Sequence, residues 1–177
     1  GLITGIDDDY GGLVGYITSD SSTIQISNGA NRIHIVGDDD LGGIIGDMQS
    51  TTSSMILALI TNHGNLTGDN NGVNGNDSIG GIIGEISIDS SLITLASIVN
   101  YGNLVGGDSL GGIVGNLNVS HAKLISAFNY GTVQGQDYLG GLIGGNGFSQ
   151  EGSIEIIQSA NHEDITGQQY IGGMVGY

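Results

Sequence analysis

Six times this chain repeats two glycines, two apolar residues and a glycine. The phrases are Gly11-Gly12-Leu13-Val14-Gly15, Gly42-Gly43-Ile44-Ile45-Gly46 and Gly80-Gly81-Ile82-Ile83-Gly84, then Gly111-Gly112-Ile113-Val114-Gly115, Gly140-Gly141-Leu142-Ile143-Gly144 and Gly172-Gly173-Met174-Val175-Gly176. Their spacings are 31, 38, 31, 29 and 32 residues. A period in that range marks a stacked-repeat architecture, in which each unit buries its apolar face only against its neighbours. A unit copied in this way offers no obvious unique place for an active site.

A second column accompanies the first. Asn31, Asn100, Asn129 and Asn161 each stand 11 residues before a glycine pair, and Asn62 joins them once an insertion of seven residues near 69–75 is set aside. Six residues after each asparagine comes Gly37, Gly68, Gly106, Gly135 or Gly167. Apolar runs precede the asparagines: Ile24–Ile26, Met55–Ile60, Leu92–Val99, Leu124–Phe128 and Ile154–Ile157. Short runs rich in Ile and Val, bounded by turn residues, read as strands. The 35 glycines argue against helix, where each costs up to about 1 kcal/mol relative to alanine. With no proline, no ladder donor is lost to that residue. One unit therefore predicts about three short strands wrapped into one coil, each pairing with its copy one rung away at about 4.8 Å. The fold expected is all-β: one parallel β-helix or β-solenoid of five to six coils, roughly 30 residues each, spanning 1–177 as one array. The asparagines are expected to serve as turn residues, with an amide ladder and left-handed backbone open to them. The glycine pairs are expected to supply positive φ and close approach at a corner.

The phrases Gly12-Leu-Val-Gly15, Gly43-Ile-Ile-Gly46 and Gly141-Leu-Ile-Gly144 resemble the GLUG motif, glycine–leucine–hydrophobic–glycine. The segment Asn129-Tyr-Gly-Thr-Val-Gln-Gly135 followed by Gly140-Gly-Leu-Ile-Gly144 is similar to that family's usual phrasing. The resemblance covers essentially the whole chain. It implies a scaffold of large extracellular proteins: adhesins, haemagglutinin-like passengers and non-catalytic parts of immunoglobulin-A metalloproteases. Isoleucine or methionine often replaces the motif leucine here. Gly1-Leu-Ile-Thr-Gly5 reads like the middle of a unit, and the array is expected to be an excerpt of a longer protein.

Charge narrows the partners. Eighteen acidic residues face two basic ones, Arg32 and Lys123, for a net charge of −16. Nucleic acid and anionic membranes need Lys and Arg, so neither is an expected partner. Divalent cations or a saline medium would compensate the acids. Cysteine is absent, which leaves the compartment open. The apolar run Met55–Ile60 is far too short to span a membrane, so no direct insertion is expected.

The acids cluster. Asp8, Asp39, Asp77, Asp108 and Asp137 each stand three residues before a glycine pair, with Gln169 in the last copy. Stacked carboxylates repel, and hydration with screening can relieve them at a turn. Calcium is the sharper alternative. The triplets Asp7–Asp9 and Asp38–Asp40 occupy consecutive units and could share an oxygen-rich corner. A glycosidase pair would also suit such spacing, since retaining enzymes hold their carboxyls about 5–5.5 Å apart. Recurrence in every unit and a 5% aromatic content weigh against that. His63 and His162 share a register three units apart, too far for one metal, while His34 and His121 occupy other registers; all four read as lone surface histidines. Tyr101 with Tyr130, and Tyr138 with Tyr170, predict stacked rings, with a sugar platform as the alternative.

These features point to a structural or adhesive segment of an extracellular or cell-surface protein, without catalytic residues. It would act as a stiff stalk, presenting scaffold or fibre element. Its partners would be surface or matrix proteins, glycans or further copies of itself. The alternative is a polysaccharide-acting β-helix enzyme or a carbohydrate-binding module.

Overall fold

A computed structural model describes residues 1–6, 8–51, 54–68, 77–146 and 152–176. The insertion near 69–75 and Asp7 lie outside the described residues. Among those described, regular structure is all β, and every inter-strand pairing is parallel and joins adjacent coils. The chain is a β-solenoid with three faces.

The narrow face stacks six strands: Leu2–Thr4, His34–Val36, Leu66–Thr67, Leu104–Val105, Val133–Gln134 and Ile165–Thr166. The glycine face stacks Tyr10–Gly11, Leu41–Gly42, Ile79–Gly80, Leu110–Gly111, Asp137–Gly140 and Gln169–Gly172. Gly111 pairs with Gly140 in register, as one coil per repeat requires. The wide face carries the long strands Ile83–Asn100 and Val114–Asn129, with Val14–Ser19, Ile45–Ser50 and Ser54–Asn62 among their neighbours.

Alternation along the wide strands sends Met55, Leu57 and Ile60 inward, over Ile93, Leu95 and Ile98. With Ile44, Ile82, Ile113 and Leu142 from the glycine phrases they fill the larger core. A smaller core holds Ile35, Leu41, Leu66, Ile79, Leu104, Leu110, Val133 and Leu139 between the narrow and glycine faces. Burying each such side chain stabilises by roughly 1.5–3 kcal/mol.

The asparagine column separates the two cores. Asn31 Nδ2 donates to Asn62 Oδ1 at 2.9 Å, Asn62 to Asn100 at 2.9 Å, Asn100 to Asn129 at 2.8 Å and Asn129 to Asn161 at 2.8 Å. Each step advances one coil: 31, 38, 29 and 32 residues. Asn62 Nδ2 also donates to the Gly64 carbonyl, and Gly64 N–H donates back to Asn62 Oδ1. With the donation from Asn31, all four hydrogen-bonding positions of this buried amide are filled. Asn31, Asn62, Asn100 and Asn129 are therefore buried structural groups; the amide ladder open to them is formed, and the expectation of mere turn residues is corrected. None of them has positive φ. An interior amide must be paired, and in successive coils its copies above and below share that task with the backbone two residues on.

Of the two roles expected of the glycine pairs, close approach holds and positive φ does not. None has φ in the left-handed region. Their role is close approach. A Cβ on Gly43 would sit 2.6 Å from Asn62 Cγ, and one on Gly12 equally close to Asn31 Cγ. The glycine column thus leaves room for the amide ladder.

Left-handed backbone falls elsewhere, in two columns and at Ser21. Asp9, Asp40, Ser109, Tyr138 and Tyr170 form the turn entering the glycine face, with φ between 48° and 65°. Asn28, Leu59, Ser97, Ser126 and Gln158 kink the wide face three residues before each asparagine, with φ of 50° to 59°. Leu59 and Ser97 both drop out of the ladder at this kink, and the register on either side is kept.

Candidate functional site

The turn column and the wide face meet at a corner. Gly46 and Gly84 bring them together. A Cβ on Gly46 would strike the backbone of Asp9 and Tyr10, and one on Gly84 that of Asp40 and Leu41. The residue after each of these glycines is acidic, Asp47 and Glu85, and the two pair across adjacent coils. The turns present Asp9 and Asp40 one coil apart. Carboxylate oxygens of Asp9, Asp40 and Asp47 consequently lie within 4.8 Å of one another.

Asp47 is 2% exposed, while Asp9 and Asp40 are half-buried and open the corner to solvent. Asp47 Oδ2 accepts from Gln49 Nε2 at 2.8 Å. Its Oδ1, and Oδ1 of Asp40, are buried without a hydrogen-bond partner. Ser78 donates to Glu85 Oε2 at 3.2 Å at the edge of the group.

Burial pushes the Asp40 carboxyl up to about 8, helped by Glu85 and Asp47 and opposed by the Ser78 hydroxyl. Burial likewise raises Asp47 to about 6, against the hydrogen bond from Gln49 and with Glu85 adding to the rise. Asp9 is raised by burial and then by Asp8. This corner concentrates negative charge in a low dielectric, the condition under which carboxylates take up either protons or a cation. In later coils the turn position holds Ser109 and Tyr138, and the strand position Asn116 and Gly145. Among the described residues the cluster is therefore singular within a repetitive frame.

Of the two triplets singled out in the sequence, Asp9 and Asp40 converge. Asp8 is exposed, Asp39 belongs to a different group, and Asp7 lies outside the described residues. Sequence reasoning missed Asp47. Its signal was the acid directly after the last glycine of the phrase, present as Asp47 and Glu85 only in the second and third copies.

The aspartate column forms its own series, one residue before each position of the turn column. Asp77 Oδ2 accepts from Gly107 N–H at 2.9 Å, Asp108 Oδ1 from Asp137 N–H at 3.1 Å, and Asp137 Oδ2 from Gln169 Nε2 at 3.3 Å. Burial, and then the hydrogen-bonded carboxyl of Asp39, raise Asp77 to about 7. Bonds from the backbone of the next coil make Asp77 and Asp108 turn caps, while Asp137 is met by the side chain of its own copy, Gln169.

The ring contacts extend the sequence expectation. Tyr101 and Tyr130 stack at 5.2 Å, and Tyr138 and Tyr170 at 4.8 Å. His63 and His162 are the outer members of the first stack, 4.9 Å from Tyr101 and 4.5 Å from Tyr130. The reading of lone histidines is corrected: His34 Nδ1 accepts from Asn65 N–H, and His121 Nδ1 meets Ser153 Oγ at 2.9 Å. In the four-ring stack the inner faces are turned to one another within 12° of parallel. Sugar platforms offer ring faces, whereas this stack presents its edges.

Lys123 pairs with Glu155 at 2.9 Å on the surface, a contact worth little in water. A shallow polar depression of about 280 Å³ is lined by Thr18, Asp20, Gln49, Ser50, Thr51 and Ser87. Among the described residues, no helix is long and apolar enough to cross a membrane. Searches of family models, curated proteins and solved structures gave no match to this chain.

Proposed function

We propose that this chain is a rigid stalk or presenting scaffold in an extracellular or cell-surface protein, as an adhesin segment or fibre element. The observation that carries the reading is the asparagine ladder. Five amides in register lock consecutive coils to a common axis, beside two apolar cores that run through the stack. Nearest-neighbour stacking of this kind gives a quasi-one-dimensional rod, suited to holding an attached element at a fixed distance. The acidic surface keeps such rods apart. The likeness of the glycine phrases to GLUG repeats favours the same assignment. Surface or matrix proteins, glycans or copies of the chain are the partners it implies.

An antibody raised against the chain tests the location. Intact source cells should be labelled as strongly as lysed ones, and protease treatment of intact cells should remove the label. Labelling only after lysis would overturn the reading.

The enzyme alternative fares poorly on the same geometry. Asp47 is sealed from a polymeric substrate, and Asp77 is tied to the backbone of Gly107. Purified protein should leave a panel of neutral and acidic polysaccharides intact. Turnover lost in Asp39→Asn, Asp77→Asn or Asp47→Asn would reinstate catalysis.

A further inference from the structure

We propose that Asp9, Asp40 and Asp47 bind one calcium ion, which ties the turn of the first coil to the second. Two separate observations meet here. The first is convergence: three carboxylates from two coils bring ligand atoms within 4.8 Å of one another. The second is the state of Asp47. Its side chain is 2% exposed and carries an oxygen without any partner, beside a second such oxygen on Asp40. A buried carboxylate oxygen without a donor costs several kcal/mol unless something positive meets it, and a cation is the partner that anionic neighbours cannot supply.

The chain offers no cation of its own at this corner. Of its two basic residues, Lys123 is engaged with Glu155 on the wide face, and Arg32, next to Asn31, is not among the charges that act on Asp9, Asp40 or Asp47. Glu85 adds a fourth negative charge, and Ser78 holds it at the margin. All donors are hard oxygens, which select calcium or magnesium over the softer metals. Coordination habit decides between these two. Calcium accepts about six to eight oxygens in flexible geometry, which converging carboxylates and water can supply. Magnesium demands near-ideal octahedral geometry and dehydrates reluctantly, so it gains less from a corner where one carboxylate is buried. Half-buried Asp9 and Asp40 leave an entry path and room for water to complete the coordination.

Isothermal titration of the intact chain with calcium chloride at pH 7.5 tests the site. One saturable ion per chain is expected, with Kd of roughly 10⁻⁵–10⁻³ M, and magnesium should bind at least tenfold more weakly. Asp47→Asn should weaken calcium at least tenfold. Asp9→Asn, at a turn where asparagine tolerates positive φ, should do the same and keeps the test open if Asp47→Asn fails to fold. Asp164→Asn, an exposed acid outside the cluster, should leave binding unchanged. Absent or non-saturable binding, equal affinity for magnesium, or undiminished affinity in Asp9→Asn would each overturn the proposal.

Discussion

Gly43 and Asn62 stand face to face across the coil: a methyl on the glycine would lie 2.6 Å from the amide carbon of the asparagine. The same opposition recurs as Gly81 with Asn100 and Gly112 with Asn129. Two separate columns in the sequence are thus one device, an internal polar wall and the gap that admits it.

Gly81→Ala should be severely destabilising. Its Cβ would collide with the Gly112 carbonyl and the Asn100 amide, and neither can yield without shifting a neighbouring coil. A loss of about 3–5 kcal/mol is expected in urea denaturation. At Gly173 a Cβ meets nothing within 4 Å, so Gly173→Ala should stay within about 0.5 kcal/mol of the parent. Equal effects at the two positions would refute the close-approach explanation.

Asn100→Ala should cost about 2–4 kcal/mol, because Asn62, Asn129 and Gly102 all lose a partner inside the protein. Asn161→Ala should cost less, since that residue is half-buried. Hydrogen exchange would locate the damage: amides in the coils flanking position 100 should lose protection first.

Leu59 is exposed yet held at φ 59°. A left-handed leucine costs roughly 1–2 kcal/mol that asparagine largely avoids. Leu59→Asn is therefore expected to raise stability by up to about 1 kcal/mol, read as a higher denaturation midpoint. A lower midpoint would mean that packing of the leucine outweighs its backbone strain.

Stability should fall as pH rises. Asp40, Asp47 and Asp77 have folded values of about 8, 6 and 7, above the roughly 3.9 of an unfolded aspartate. The folded chain then holds protons that the unfolded chain has released, so unfolding becomes easier from about pH 4 until Asp40 has ionised near pH 8. In a chelating buffer the urea midpoint should be lower at pH 8.5 than at pH 5. Asp40→Asn should recover much of the difference at pH 8.5 and change little at pH 5. A midpoint that is flat or rises with pH would contradict these shifts.

What could be read from the order of residues follows from repetition. Asn100 and Gly111 stand in columns of identical residues, so their spacing exposed the coil and its register before any geometry was known. The kink at Leu59, Ser97 and Gln158 was hidden because residues so different carry no common signal for left-handed backbone. His63 and Tyr101 escaped in the same way: a mixed ring column does not look like a column. Asp47 was concealed by distance along the chain. Only the crossing of the Asp9 turn with the strand after Gly46 brings the two acids together.

Every rung of the amide ladder points the same way, with nitrogen giving to the oxygen of the following coil from Asn31 through to Asn161. Such side-chain dipoles add along the stack and polarise one another. A coil inserted upside down would meet donor with donor. The molecule is therefore a vector and not merely a line: its two directions along the axis are electrically distinct, whatever the sign of its surface charge.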